Sequence, residues 1–302
     1  MCLSEAKGMD IIMDFKNGKE LLKLCQTHRL PISEVMKLRE CELGETTDEL
    51  ICARMKRVLE IMKEAAFSPI LSPKKSMGGL IGGEARLLSE HRAKGENIGG
   101  GVLDRGIAYA MAVLEVNASM GLIVAAPTAG SSGIVPGLLL ALKEEYHICD
   151  DRIVDVLFNA GAVGYLAMRN ATVAGAVGGC QAEVGVASAM AASAAVELMG
   201  GSPSQCLDAA STVLMNMLGL VCDPISGLVE CPCQGRNAAG VANALVAAEL
   251  ALSHVRQLIP FDEMLEVMYS VGRRLPPELR ETAMGGCATA PSACGLCGKC
   301  SP

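Results

Sequence analysis

Residues 171–196 set the first constraint on this chain. The stretch is dominated by Ala, Gly, Ser and Val, contains no Leu, Ile or Phe, and carries one charge, Glu183. A segment this apolar belongs inside a core or a bilayer. A membrane span needs about 20 strongly apolar residues, and the large aliphatic side chains that would supply them are missing here. Small side chains instead let helix backbones approach one another closely. The stretch therefore predicts tightly packed helices at the centre of a protein core.

The remaining pattern is also helical. Aromatic residues make up 3% of the chain, and Val and Ile are scattered among Ala and Met where alternating strand runs would need them grouped. Ser33 to Met36 mark a helix start, and residues 47–66 carry apolar positions at helical spacing with Arg54, Lys56, Arg57 and Lys63 outside. A loop rich in Pro, Ser and Gly follows, punctuated by Gly78-Gly79 and Gly82-Gly83. Further helices are predicted at 102–120, 134–146, 151–168, 182–199, 203–218, 237–254 and 262–272, separated by Gly- and Cys-bearing loops. The fold class is all-α. With 302 residues, 51% of them hydrophobic, the chain is read as one catalytic domain over 1–302. Within it lie a helical N-terminal part, 1–66, and a flexible Cys-rich tail, 291–302.

The net charge is −7, and no run of Lys and Arg is long enough to track a phosphate backbone. Nucleic acid is not expected as a partner, nor is a membrane. Residues 1–7 lack a basic segment leading into an apolar one, so no signal peptide is expected and the location is read as cytoplasmic.

Cysteine is the unusual component. Nine of the fourteen lie between Cys180 and Cys300, several beside Gly or Pro. Buried thiols serve as small hydrophobes in many cores, but a helical core does not need them in loops, whereas a metal or cluster site does. Three stand apart: Cys180 in Gly178-Gly179-Cys180-Gln181, Cys222 in Cys222-Asp223-Pro224, and Cys233 in Pro232-Cys233-Gln234-Gly235-Arg236-Asn237. Each falls at a helix–loop boundary, where free backbone N–H groups can point at sulfur charge. Neither gap between them is a short knuckle spacing, so spacing alone does not make them ligands.

The stretch from Gly178 to Gly201 and the run from Gly227 through Cys233 to Asn237 resemble the α chain of the iron–sulfur-dependent L-serine dehydratase family. So do Glu115-Val116-Asn117-Ala118-Ser119-Met120-Gly121, Pro127-Thr128-Ala129-Gly130-Ser131 and Gly82-Gly83-Glu84-Ala85. Several motifs in order, spread over roughly 33–290, carry the likeness. The resemblance implies β-elimination and deamination of L-serine to pyruvate and ammonia. It implies a [4Fe–4S] cluster on Cys180, Cys222 and Cys233 with one iron open, and a separate β subunit forming a hetero-oligomer.

The other residues are read two ways. Thr128, Ser131 and Ser132 suit either a turn with a helix N-cap or a pocket for the substrate carboxylate. Arg236 and Asn237 either hold that carboxylate or cap the following helix, and Asn117 is a further substrate candidate inside an apolar helix. The catalytic base is unassigned, with Glu115 and Lys75 as candidates. Cys231 is read as a bystander of Cys233. Cys294, Cys297 and Cys300, at C-x-x-C-x-x-C spacing, suit a cap on the open iron or a second metal site. Three other functions compete. A pyridoxal phosphate lyase using Lys74 or Lys75 would need buried strands and leave the cysteines without a role, so that cofactor is not expected. A cysteine desulfidase-like lyase shares the cluster logic, and an electron carrier or sensor would close its cluster with four thiolates.

Overall fold

The computed structural model describes residues 13–297. Thirteen helices occur among them: α1 (Gly18–His28), α2 (Ile32–Leu43), α3 (Asp48–Leu71), α4 (Glu84–Ala93), α5 (Gly100–Ala118), α6 (Ile134–Glu145), α7 (Asp150–Asn170), α8 (Gly175–Gly178), α9 (Val186–Leu198), α10 (Pro203–Asn216), α11 (Cys233–Leu252), α12 (Phe261–Arg274) and α13 (Pro291–Cys297). The described residues contain no strand, only an isolated bridge between Cys222 and Arg280. The all-α reading holds. Among the described residues no helix is long and apolar enough to cross a membrane.

The centre of the core is α9, all of whose residues are buried. It packs against α6, α7, α10 and α11. A helix enclosed on every side has no polar face, and the Ala-rich sequence of 171–196 supplies none. Its neighbours also close up on small residues. A Cβ at Gly137 of α6 would sit 2.8 Å from the Gly106 carbonyl of α5, so the two helices touch backbone to backbone.

Helix starts follow capping chemistry. Asn17 and Thr47 accept N–H groups in the first turns of α1 and α3, and Ser202 with Gln205 forms a full capping box on α10. Asp262 of α12 accepts the Gly18 and Lys19 N–H groups at 2.7 and 3.1 Å, placing a carboxylate at the positive end of α1.

Five boundaries differ from the sequence expectation. Helix α3 continues to Leu71, taking in Ser68 and Pro69, the expected start of the following loop. Helix α4 occupies part of the region read only as Gly-punctuated; Ala85 is its one buried residue, so it shows little apolar periodicity. Helix α11 starts at Cys233, four residues before the expected 237. The helix expected at 182–199 opens with a π-helical turn, Gln181–Gly185, before α9. In the stretch read as a flexible tail, Pro291–Cys297 are helical and Ala293 is buried. Cys300 lies outside the described residues.

Candidate active site

Cys180, Cys222 and Cys233 come from three separate segments and meet at one cavity. Gly179 precedes Cys180 in a left-handed conformation, and a Cβ there would meet the Leu220 carbonyl at 2.8 Å. Gln181 holds the crossing together. Its N–H donates to Leu220 O, its Oε1 accepts from Gly219 N–H, and its Nε2 donates to Met268 O, at 2.9, 2.9 and 3.0 Å. Cys222 is clipped to the segment after α12. Its N–H donates to Leu279 O at 2.8 Å, and Glu281 N–H returns a bond to Cys222 O at 2.7 Å. Cys233 is the first residue of α11, after a cis Cys231–Pro232 bond.

The side chains converge. One ligand atom each from Cys180, Glu183 and Cys222 all lie within 4.8 Å of one another, and Cys233 lines the same cavity. Arg236 Nη1 donates to Cys180 Sγ at 3.5 Å and to Val221 O at 2.8 Å, while Nη2 pairs with Asp223 at 2.7 Å. A hydrogen bond from Cys222, then the Arg236 charge, lower the pKa of the Cys180 thiol despite its burial. Cys222, as the donor to Cys180 in a buried place, is pushed the other way. Burial, with the Cys180 charge, pushes Cys233 up to about 12. Of the three thiols, Cys180 is thus the most readily ionised, and any metal bound here would have to displace protons from the other two. Burial also raises Glu183, with the Thr128 hydroxyl opposing.

The cavity measures about 190 Å³ and is closed on its other side by residues 128–130 and Glu281. The loop at 128–133 is held by its own polar groups. Thr128 Oγ1 meets Ser131 Oγ at 3.0 Å, and Ser132 Oγ donates to Ala129 O at 2.8 Å. Asn117 Nδ2 donates to Ala129 O at 3.3 Å. Asn237 ties the loop to α11: Nδ2 donates to Gly130 O and Cys233 O at 2.8 and 2.9 Å, and Oδ1 accepts from Gly133 N–H at 3.1 Å.

Comparison with known proteins decides what this arrangement belongs to. Residues 27–288 match the family model described as Serine dehydratase alpha chain. The chain belongs to this family. It is 46% identical over 278 residues to the "Probable L-serine dehydratase, alpha chain" of Bacillus subtilis (strain 168), with 92% of each chain covered. It is 43% identical over 271 residues to the "L-serine dehydratase, alpha chain" of Peptoniphilus asaccharolyticus, covering 90% of this chain and 93% of that one. Against the "L-serine dehydratase TdcG" of Escherichia coli (strain K12), identity is 36% over 292 residues, covering 95% of this chain but 64% of the longer relative. Family membership makes the chain a carbon–nitrogen lyase.

Within this serine dehydratase α chain, the sequence candidates separate into groups. Cys180, Cys222, Cys233 and Thr128 line the cavity. Asn117, Ser131, Ser132 and Asn237 brace the loop beside it, and Arg236 braces Cys180. Glu115 and Lys75 do not line it; Glu115 is buried behind α11 and Lys75 is exposed. Cys294 sits on α13, which packs against the turns Ile225–Gly227 and Gly286–Thr289. Two carboxylates of the cavity, Glu183 and Glu281, escaped the sequence reading. Glu183 had a signal, as the lone charge in a sealed apolar segment. Glu281 had none, because a β-bridge brings it in from far along the chain.

Proposed function

We propose that this chain is the catalytic α subunit of an L-serine dehydratase that eliminates water from L-serine and releases pyruvate and ammonia, using a [4Fe–4S] cluster on Cys180, Cys222 and Cys233. The observation that carries the proposal is the convergence of three motif cysteines on one cavity whose remaining polar wall is Thr128, Glu183 and Glu281. The donors suit the group. They are soft thiols, and the wall behind them is cut back to bare backbone: a Cβ at Gly175 would meet Glu183 Oε2 at 2.6 Å and Cys222 Sγ at 3.1 Å. Bound through three thiolates, such a cluster supplies a Lewis-acidic iron open to a substrate hydroxyl.

The chain's own residues handle the rest of the substrate. Thr128 Oγ1 and the adjacent loop offer hydrogen bonds to a carboxylate. Glu183 and Glu281 present negative charge suited to an α-ammonium, and they replace Glu115 and Lys75 as candidates for accepting the α-proton. Arg236 holds Cys180 in place from behind. An electron carrier would need a fourth thiolate at this cavity, and its fourth described side is Glu183 and Thr128. Since relatives of matching length are named alpha chains and a longer relative has about a third of its own length outside the match, the remainder is read as a separate β subunit in a hetero-oligomer.

The test is anaerobic reconstitution of the chain with its β partner, followed by iron and sulfide analysis and assay with serine, threonine and cysteine. Cys180→Ala, Cys222→Ala and Cys233→Ala should each lose cluster and lyase activity together. A full cluster in any of the three removes that residue from the ligand set. Turnover of cysteine in place of serine moves the activity to the desulfidase-like reading.

A further inference from the structure

Glu115 lies near the end of α5 at 1% exposure, outside the cavity. Its Oε1 accepts the Ala85 N–H at 2.9 Å and Gln234 Nε2 at 3.2 Å. Its Oε2 is buried, and no N–H or O–H donor among the described residues reaches it. Glu84, on the first turn of α4, faces it. Glu84 Oε2 accepts the Gly82 N–H at 2.7 Å and lies 3.4 Å from the same Gln234 Nε2 that reaches Glu115 Oε1, so one amide gathers the two carboxyl groups. Two carboxyl groups gathered on one amide, one of them buried with an unpartnered oxygen, are stable together with a proton on that one, because adjacent buried like charges cannot both ionise. Among the described residues no Lys, Arg or His forms an ion pair with Glu115 or Glu84. Arg86 of α4 pairs with Glu90 and Arg236 of α11 with Asp223, while Lys63 of α3 and Lys143 of α6 both pair with Asp150.

We propose that Glu115 is a neutral carboxylic acid whose Oε2 proton is donated to Glu84, and that this acid–carboxylate pair is a positioning device for Gln234 and so for the first turn of α11, which carries Cys233. Gln234 is the next residue after Cys233, and its amide is the point at which α4, α5 and α11 are joined. Burial, above all, holds Glu115 above the ordinary carboxyl range, with Glu84's charge adding and the Ala85 and Gly83 N–H groups opposing. At Glu84 the Gly82 and Glu84 N–H groups and the Gln234 amide outweigh burial and hold it below that range.

The role of Cys233 rests on the cluster reading above; the protonation of Glu115 does not. Infrared spectroscopy of the wild-type chain at neutral pH, with or without iron, should show a protonated-carboxyl band that disappears in both Glu115→Gln and Glu115→Ala. The Gln amide donates where the acid did. Glu115→Gln should therefore keep its iron and a kcat within about threefold of wild type, a range expected when a hydrogen bond is replaced and not lost. It should also gain thermal stability at neutral and alkaline pH. A group with a raised folded value retains a proton the unfolded chain has released, so its contribution fades as pH rises above the ordinary carboxyl value, and the amide removes that loss. Glu115→Ala should lose roughly tenfold in activity through weakened iron retention. Absence of the band overturns the neutral acid. Loss of turnover in Glu115→Gln at full iron content makes Glu115 a base and overturns the positioning role, as does a Glu115→Ala enzyme matching wild type. If the wild type holds no cluster, the cluster reading fails while the infrared result still decides the protonation.

Discussion

Glu230 shows what one buried side chain does beside the cavity. It is buried, and it collects Ser76 Oγ, Gly78 N–H and Leu80 N–H at 2.7, 2.7 and 2.9 Å. The loop between α3 and α4 is thus folded around a single carboxylate. Ser76→Ala removes one donor to that charge and should lower unfolding free energy by about 2 kcal/mol, measured by urea titration. Gly78→Ala should cost at least as much, because the new Cβ would lie 2.3 Å from Leu228 Cδ1 and 2.7 Å from Glu230 Oε1. The sequence marked Gly78 only as loop punctuation and Ser76 not at all, since their shared partner is more than a hundred positions away. The cysteines did stand out, because placement beside Gly and Pro is a local property. Thr128 was legible for the same reason, while the bracing role of Asn237 required knowing which loop folds over the start of α11.

At the scale of elements, periodicity was readable wherever a helix has one buried face. Helix α12 buries Phe261, Met264, Leu265, Met268 and Gly272, and its expected span of 262–272 falls within the observed Phe261–Arg274. Helix α4 was not readable, because it buries almost nothing. The close approach of α12 to α8 also carries a prediction. A Cβ at Gly272 would meet Gly178 Cα at 2.7 Å and Gln181 Nε2 at 2.9 Å. Gly272→Ala should therefore push α12 away from the turn that carries Cys180, lowering both melting temperature and iron retained after reconstitution. A variant with a lower melting temperature but full iron would show that the turn is held without α12. As a control far from the cavity, Ser202→Ala breaks the α10 capping box and should cost about 1 kcal/mol with iron content unchanged.

At the scale of the whole molecule, an Ala-rich interior carries the three proposed ligands in three parts of the chain, two of them at helix boundaries. Hydrogen exchange should reflect that division: α9 should be slow with or without iron, while residues 219–222, 277–287 and the first turn of α11 should slow on reconstitution. Equal protection in both states would mean that metal binding does not order the site. Removal of residues 294–302 should speed inactivation in air if the tail cysteines cap the open iron, and should lower iron content if they hold a second metal. The clip between Cys222 and residues 279–281 has a consequence for biosynthesis. Cys222, one of the proposed ligands, gains its two backbone anchors only when a segment almost sixty positions downstream has left the ribosome. A nascent chain that has exposed all three cysteines still lacks the segment that fixes the middle one, so, on the proposed ligand set, iron and sulfide delivered before residues 279–281 emerge would meet a site with one thiol unanchored.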